Sequence, residues 1–140
     1  MRSIRKVVVL GANGAMGSGS GAVFAAAGIP TVFLARTVEK AEAGRARAEQ
    51  LTKGKIAQNV VTCGSYAQDL PHALLDADFV LEAVSEDIAT KREVFTLVDR
   101  LRKPDTIIAT VSSGLSIAEM CADRSASFRA NFLGVHLFNP

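Results

Sequence analysis

The chain has 140 residues, a net charge of +2, and 49% hydrophobic against 21% charged residues, enough for one domain with a buried core and without the charge excess of a nucleic-acid or membrane-surface binder. Its longest uncharged run, residues 7–35, is broken by glycines and Pro30, which argues against a membrane span, and it leads into a glycine turn instead of a signal-peptide cleavage site. Cys63 and Cys121 lie far apart with no C-x-x-C spacing or Cys/His cluster, so they read as two buried thiols in a reducing compartment, the cytoplasm, and not as zinc ligands.

KVVVL (6–10) is a short, continuous, β-branched run, the pattern of a strand buried on both faces. A helix is predicted over 15–27, stopped by Gly28. TVFLA (31–35) follows Pro30 as a second strand. Residues 38–53, rich in Glu, Lys, Arg and Ala, read as a helix with a solvated face. NVVTC (59–63) is a third strand, a short helix is expected around 72–76, and DFVLEAV (78–84) is a fourth strand. Residues 87–102 space Ile88, Val94, Phe95, Val98 and Leu101 at near-helical intervals up to Lys103-Pro104. TIIATV (106–111) is a fifth strand, Ser116 with Glu119 signals a capped helix over 117–123, and FLGVHLF (132–138) is a sixth strand.

Strands alternating with helices at this spacing predict an α/β protein, a Rossmann-type doubly wound parallel sheet forming a single domain over residues 1–140. Such sheets bind ligands at the carboxyl ends of their strands, where the strand order reverses. The positions that matter are therefore 11–17, 35–37, 83–86, 111–114 and 136–140.

At the first of these, Gly11, Gly14 and Gly17 stand between a strand and a helix. Backbone without β-carbons can approach a phosphate, and a helix N-terminus offers free N–H groups and partial positive charge. Gly14 occupies the place where a dinucleotide loop lets the pyrophosphate in, and Gly17 the place of close helix–strand packing. The first position of the usual G-x-G-x-x-G pattern holds Ala12, with Gly11 beside it to supply the bend. At the end of the second strand an acid would bind the 2′-hydroxyl of NAD, but the chain has Ala35-Arg36-Thr37. A guanidinium there suits adenine stacking or a 2′-phosphate and tilts the choice towards NADP, unless Arg36 is only a solvated residue opening the next helix.

In EAVSEDIATK (82–91), Glu86 and Lys91 follow the fourth strand and open a helix, where an acid is also favoured by the helix dipole alone. TVSSGLSI (110–117) sets hydroxyls after the fifth strand, and GVHLFNP (134–140) sets His136 in the sixth, beside Asn139-Pro140. An isolated strand histidine is usually a core residue; a hydroxyl-rich strand end at the same sheet edge shifts the reading towards chemistry. His72 has no such company and reads as a surface residue.

These segments, with GAMGSG (14–19), resemble the N-terminal cofactor domain of the 3-hydroxyacyl-CoA dehydrogenases, in the family's order and near its spacing, over nearly the whole chain. The resemblance implies an NAD-dependent oxidoreductase of fatty-acid metabolism, of the β-oxidation type, that interconverts (S)-3-hydroxyacyl-CoA and 3-oxoacyl-CoA. It makes His136 the catalytic base and Ser113 the serine where substrate and nicotinamide meet. It assigns cofactor contacts to Gly11, Gly14, Ala15, Met16, Gly17, Val84, Ser85, Glu86, Lys91, Ser113 and Asn139, and puts Arg36 where the family has its ribose-binding Asp. Val111-Ser112 replaces the family's Asn-Thr pair before the serine. The resemblance further implies a carboxylate that orients the histidine, then a helical domain that completes the acyl-CoA pocket and the interface of a homo-oligomer. On that reading residues 1–140 are the cofactor domain of a longer enzyme, incomplete for catalysis alone. A non-catalytic NAD(P)-binding module and an NADP-linked hydroxyacid reductase on the same fold are the alternatives.

Overall fold

A computed structural model describes residues 2–137. The elements run β1 (Val7–Leu10), α1 (Ala15–Ala26), β2 (Thr31–Ala35), α2 (Val38–Thr52), β3 (Val61–Ser65), α3 (Tyr66–Leu74), β4 (Phe79–Glu82), α4 (Ile88–Leu101), β5 (Ile107–Thr110), α5 (Ile117–Cys121), α6 (Ala126–Ala130) and β6 (Phe132–Gly134). The strands form one sheet of order β3-β2-β1-β4-β5-β6, every pairing parallel. This is the Rossmann arrangement expected from the alternation of strands and helices.

The unbroken apolar runs of the central strands follow from burial on both faces. Val7, Val9, Phe33, Leu81 and Ala109 pack with Ala22 and Ala25 of α1 and Ala41 and Ala48 of α2. Val8, Leu10, Leu34, Val80 and Ile108 pack with Leu70 and Leu74 of α3, Phe95 and Val98 of α4, and Phe128 of α6. With two helices on one face and four on the other, the crevice opens between β1 and β4, where the strand order reverses. Phe95, Phe128 and Phe132 interlock with ring centroids 5.0–5.6 Å apart and hold β6 at the sheet edge.

The structure departs from the sequence reading at several elements. β3 lies two residues later than 59–63, because Gly64 and Ser65, weak strand formers, pair with Leu34 and Ala35. The short helix expected near 72–76 is instead α3, begun a turn before Pro71. Ser65 caps it by accepting the Gln68 N–H at 3.4 Å, and Asp69 accepts the Ser65 N–H at 2.8 Å. The five-residue α6, capped by Ser125, was not anticipated. β6 ends at Gly134; the last residue of the expected strand, Phe138, lies outside the described residues.

Candidate functional site

The turn after β1 explains how the chain manages with Ala12. Gly11 has φ +78°, a conformation that L side chains rarely adopt, so the bend sits one residue earlier than the usual pattern places it. A Cβ on Gly11 would also lie 2.7 Å from the Val84 nitrogen, so the turn rests against the chain leaving β4. Ala12 is fully buried in the core layer beneath α1 and α2, where a methyl group is accommodated. On Gly17, a Cβ would meet the Gly11 carbonyl carbon at 2.9 Å and Ala12 Cα at 3.1 Å. The first turn of α1 therefore packs directly on the glycine bend.

That first turn is bare. Gly14 is the N-cap and offers no side-chain hydrogen bond, whereas Thr37, Ser65, Asp87, Ser116 and Ser125 cap the other helices. Four N–H groups at any helix start lack intrahelical partners, and here no side chain among the described residues caps them. Ala15 and Met16 are exposed. An uncapped N-terminus with a glycine approach fits an anionic diphosphate.

A cleft of about 540 Å³ opens over this turn. It is lined by Gly11 and Gly14 of the bend, by Arg36 and Lys40 after β2, by Tyr66 and Leu70 of α3, by Ala83, Val84 and Ser85 after β4, and by Thr90, Glu93, Val94 and Leu97 of α4. Tyr66 was missed by the sequence reading, although the chain's one tyrosine directly follows a strand. Its hydroxyl accepts the Gly11 N–H at 2.7 Å. Burial pushes the Tyr66 phenol above its ordinary range, against the lowering effect of that amide. The phenol thus stays neutral and keeps a proton to donate into the cleft. Lys40, in the first turn of α2, places a second cation beside Arg36 where an acid is usual for NAD.

Further along the same edge, Glu86 accepts a hydrogen bond from the Ser112 hydroxyl and so ties the loop after β4 to the loop after β5. Ser113 is exposed next to it. The Val135 N–H donates to the Thr110 carbonyl at 2.9 Å, which continues the β5–β6 register by one residue, and the exposed His136 follows at the same end of the sheet. The expected residues Gly11, Gly14, Ala15, Met16, Gly17, Arg36, Val84, Ser85, Glu86, Ser113 and His136 thus gather at one carboxyl edge. Asn139 lies outside the described residues. Lys91 is not on the cleft wall: its side chain is fully buried, with Nζ 2.6 Å from Glu82 Oε1. A second groove of about 600 Å³ runs along the outer face of α1, from Met16 and Leu137 past Val23 to Leu51, Lys53 and Lys55.

Comparison with known proteins agrees with this geometry. Residues 6–140 match the family model described as 3-hydroxyacyl-CoA dehydrogenase, NAD binding domain. A probable 3-hydroxyacyl-CoA dehydrogenase of Bacillus subtilis is 35% identical over 164 residues, covering 99% of this chain and 20% of the relative. A 3-hydroxybutyryl-CoA dehydrogenase of Clostridioides difficile is 33% identical over 148 residues, covering 96% of this chain and 50% of the relative. The crystal structure of 3-hydroxybutyryl-CoA dehydrogenase from Escherichia coli K12 superposes with a TM-score of 0.81 at 27% identity, over 99% of this chain and 30% of that one. The chain thus spans half or less of the length of these relatives. A bare helix start over a glycine bend, a doubly wound sheet and a family match over almost every residue agree: the chain belongs to the 3-hydroxyacyl-CoA dehydrogenase family and forms its NAD-binding domain.

Proposed function

We propose that the protein containing this domain oxidises the 3-hydroxyl of an acyl-CoA thioester, or reduces the 3-oxo group, with NAD or NADP as redox partner. The observation that carries this reading is the uncapped start of α1, set on the same sheet edge as Ser113 and His136. The Ala15, Met16 and Gly17 amides hold the diphosphate, and Val84, Ser85 and Glu86 line the path of the nicotinamide riboside. The nicotinamide, when bound, exchanges hydride with the substrate carbon. His136 takes the hydroxyl proton, a task suited to imidazole near neutral pH, and Ser113 fixes the substrate oxygen by hydrogen bonding. The groove beside α1 favours an acyl-CoA: its apolar walls suit the acyl and pantetheine arm, and Lys53 and Lys55 suit phosphates.

The pairing of Arg36 with Lys40 supports use of NADP alongside NAD. Two cations, with no acid directly closing β2, suit a 2′-phosphate. The unpaired thiols of Cys63 and Cys121 suit a reducing compartment such as the cytoplasm. The rest of the longer enzyme would supply the group that orients His136, the remainder of the acyl-CoA pocket and a homo-oligomer interface.

Three measurements test the reading. Residues 1–140 are expected to bind NADH and ADP but to turn over acetoacetyl-CoA poorly; turnover at the rate of the full enzyme would refute it. In the chain extended to its relatives' length, His136→Ala is expected to remove most dehydrogenase activity, and unchanged activity would make the histidine a bystander and favour a binding module. Arg36→Asp is expected to weaken NADPH about tenfold relative to NADH, the loss of one charge-assisted phosphate contact. An unchanged ratio would make Arg36 a spectator.

A further inference from the structure

Beneath the cleft three polar side chains are sealed from water. Glu82 at the end of β4, Lys91 in the first turn of α4 and Thr110 at the end of β5 are each 0% exposed. Glu82 Oε1 accepts from Lys91 Nζ at 2.6 Å and from the Val84 N–H at 2.7 Å, and Oε2 accepts the Thr110 hydroxyl at 2.6 Å. Lys91 Nζ also donates to the Val84 carbonyl at 3.2 Å. The Thr110 oxygen in turn accepts the Ser112 N–H at 3.2 Å.

A buried ion pair is a poor source of net stability, because desolvating two charges offsets most of their attraction and apolar residues of similar volume often serve as well. What this one provides is placement. Both the N–H and the carbonyl of Val84 are held by the pair, and Val84 with Ser85 forms the cleft wall. Through Thr110 the same carboxylate reaches the loop that carries Ser112 and Ser113, and the Glu86–Ser112 bond joins the two loops again at the surface. The glycine bend, Arg36 and Lys40, by contrast, receive no hydrogen bond from any of the three side chains among the described residues.

The geometry points to Glu82, Lys91 and Thr110 as positioning residues that fix loops 83–86 and 111–113 for the nicotinamide half of the dinucleotide, while the adenosine diphosphate half rests on the glycine bend, which meets these loops only through backbone packing against Ala83 and Val84. This rests on the dinucleotide reading above. Lys91 then acts through the Val84 carbonyl and Glu82.

Titration of the chain with NADH and with ADP, which lacks the nicotinamide half, tests this. Glu82→Gln/Lys91→Met removes both charges without leaving one unpaired. It is expected to weaken NADH about tenfold, the loss of roughly one charged hydrogen bond's worth of ordering, with ADP within about twofold of wild type. The fluorescence enhancement of bound NADH is expected to fall with it. Thr110→Val, which keeps the side-chain shape, is expected to give the same split at about threefold, and serves alone if the double variant does not fold. Equal losses for NADH and ADP would overturn the proposal, since general support of the fold moves both. Unchanged affinities for both would overturn it as well. A wild-type chain that binds neither nucleotide would instead overturn the dinucleotide reading, and this proposal with it.

Discussion

Two neighbouring glycines of α1 give opposite expectations for the same substitution. Gly17 and Gly19 both lie inside the helix, where exchanging Gly for Ala favours the helix by up to about 1 kcal/mol. At Gly19 a new Cβ meets nothing within 4 Å. Gly19→Ala is therefore expected to raise stability by about 0.5–1 kcal/mol, a Tm gain of about 2–4 °C for a domain of this size. At Gly17 the Cβ would overlap the Gly11 carbonyl oxygen and stand 2.9 Å from the Gly11 carbonyl carbon and 3.1 Å from Ala12 Cα. Both neighbours are backbone, so no side chain can rotate away. Ordinary contact begins near 3.4 Å, so α1 must retreat from the Gly11 carbonyl oxygen by about 1 Å or more, an overpacking strain towards the upper end of about 1–3 kcal/mol. With the helix-propensity gain subtracted, Gly17→Ala is expected to cost about 1–2 kcal/mol and lower Tm by about 4–8 °C. The same retreat lengthens the bonds from the first-turn amides to a diphosphate, so ADP is expected to bind about tenfold more weakly. Thermal melts and ADP titrations of the two variants beside wild type decide the matter. If Gly17→Ala gains stability as Gly19→Ala does and binds ADP normally, the close packing of helix on bend does not govern the site.

Tyr66→Phe removes the acceptor of the Gly11 N–H, which keeps a second acceptor in the Leu34 carbonyl at 3.1 Å. The expected loss is about 0.5–1.5 kcal/mol in urea unfolding, with ADP binding weaker by about threefold. Asp78 accepts the Arg5 N–H at 2.7 Å and the Lys6 N–H at 3.1 Å and pairs with Lys103. The bond from Lys103, ahead of the opposing effect of burial, holds its carboxyl below the usual carboxylate range, with the two backbone donors adding to it. Its stabilisation is then complete above about pH 4 and fades as pH falls through the lowered native value. Asp78→Asn is expected to cost about 1–2 kcal/mol at pH 7 and to flatten the acid side of the stability curve, as urea unfolding at pH 7 and pH 3 would register. Phe128 is fully buried between Phe95 and Phe132. Phe128→Ala is expected to cost about 3–5 kcal/mol, a large share of a small domain's stability; a loss below 1 kcal/mol would mean that this cluster does not anchor β6.

Much of the site was legible because of where its residues fall along the chain. The glycine bend, Arg36, Glu86, Ser113 and His136 each follow or end an apolar run, and a parallel sheet gathers the carboxyl ends of its strands on one edge. Tyr66 escaped notice because the end of β3 was set two residues early; its value lies in a bond to Gly11, 55 residues away. Lys91 could be found but not interpreted. A lysine opening a helix reads as solvated or ligand-facing, and only its 0% exposure and its bond to Glu82 show which way it turns. The clue available in sequence was Glu82 itself, an acid closing a run of buried apolar residues, which requires a partner.

The sequence alone determined the layered α/β order, the glycine approach to a helix start and the absence of an acid after β2, because these depend on residue type and short spacing. The tertiary structure decided that α1 begins uncapped against a tightly bent Gly11, that Arg36 and Lys40 line the same cleft, and that Glu82, Lys91 and Thr110 share one sealed network. The physical reason is range. Propensity and periodicity act over a few neighbouring residues, whereas a buried charge finds its partner through space, where two strands and a helix have been brought together.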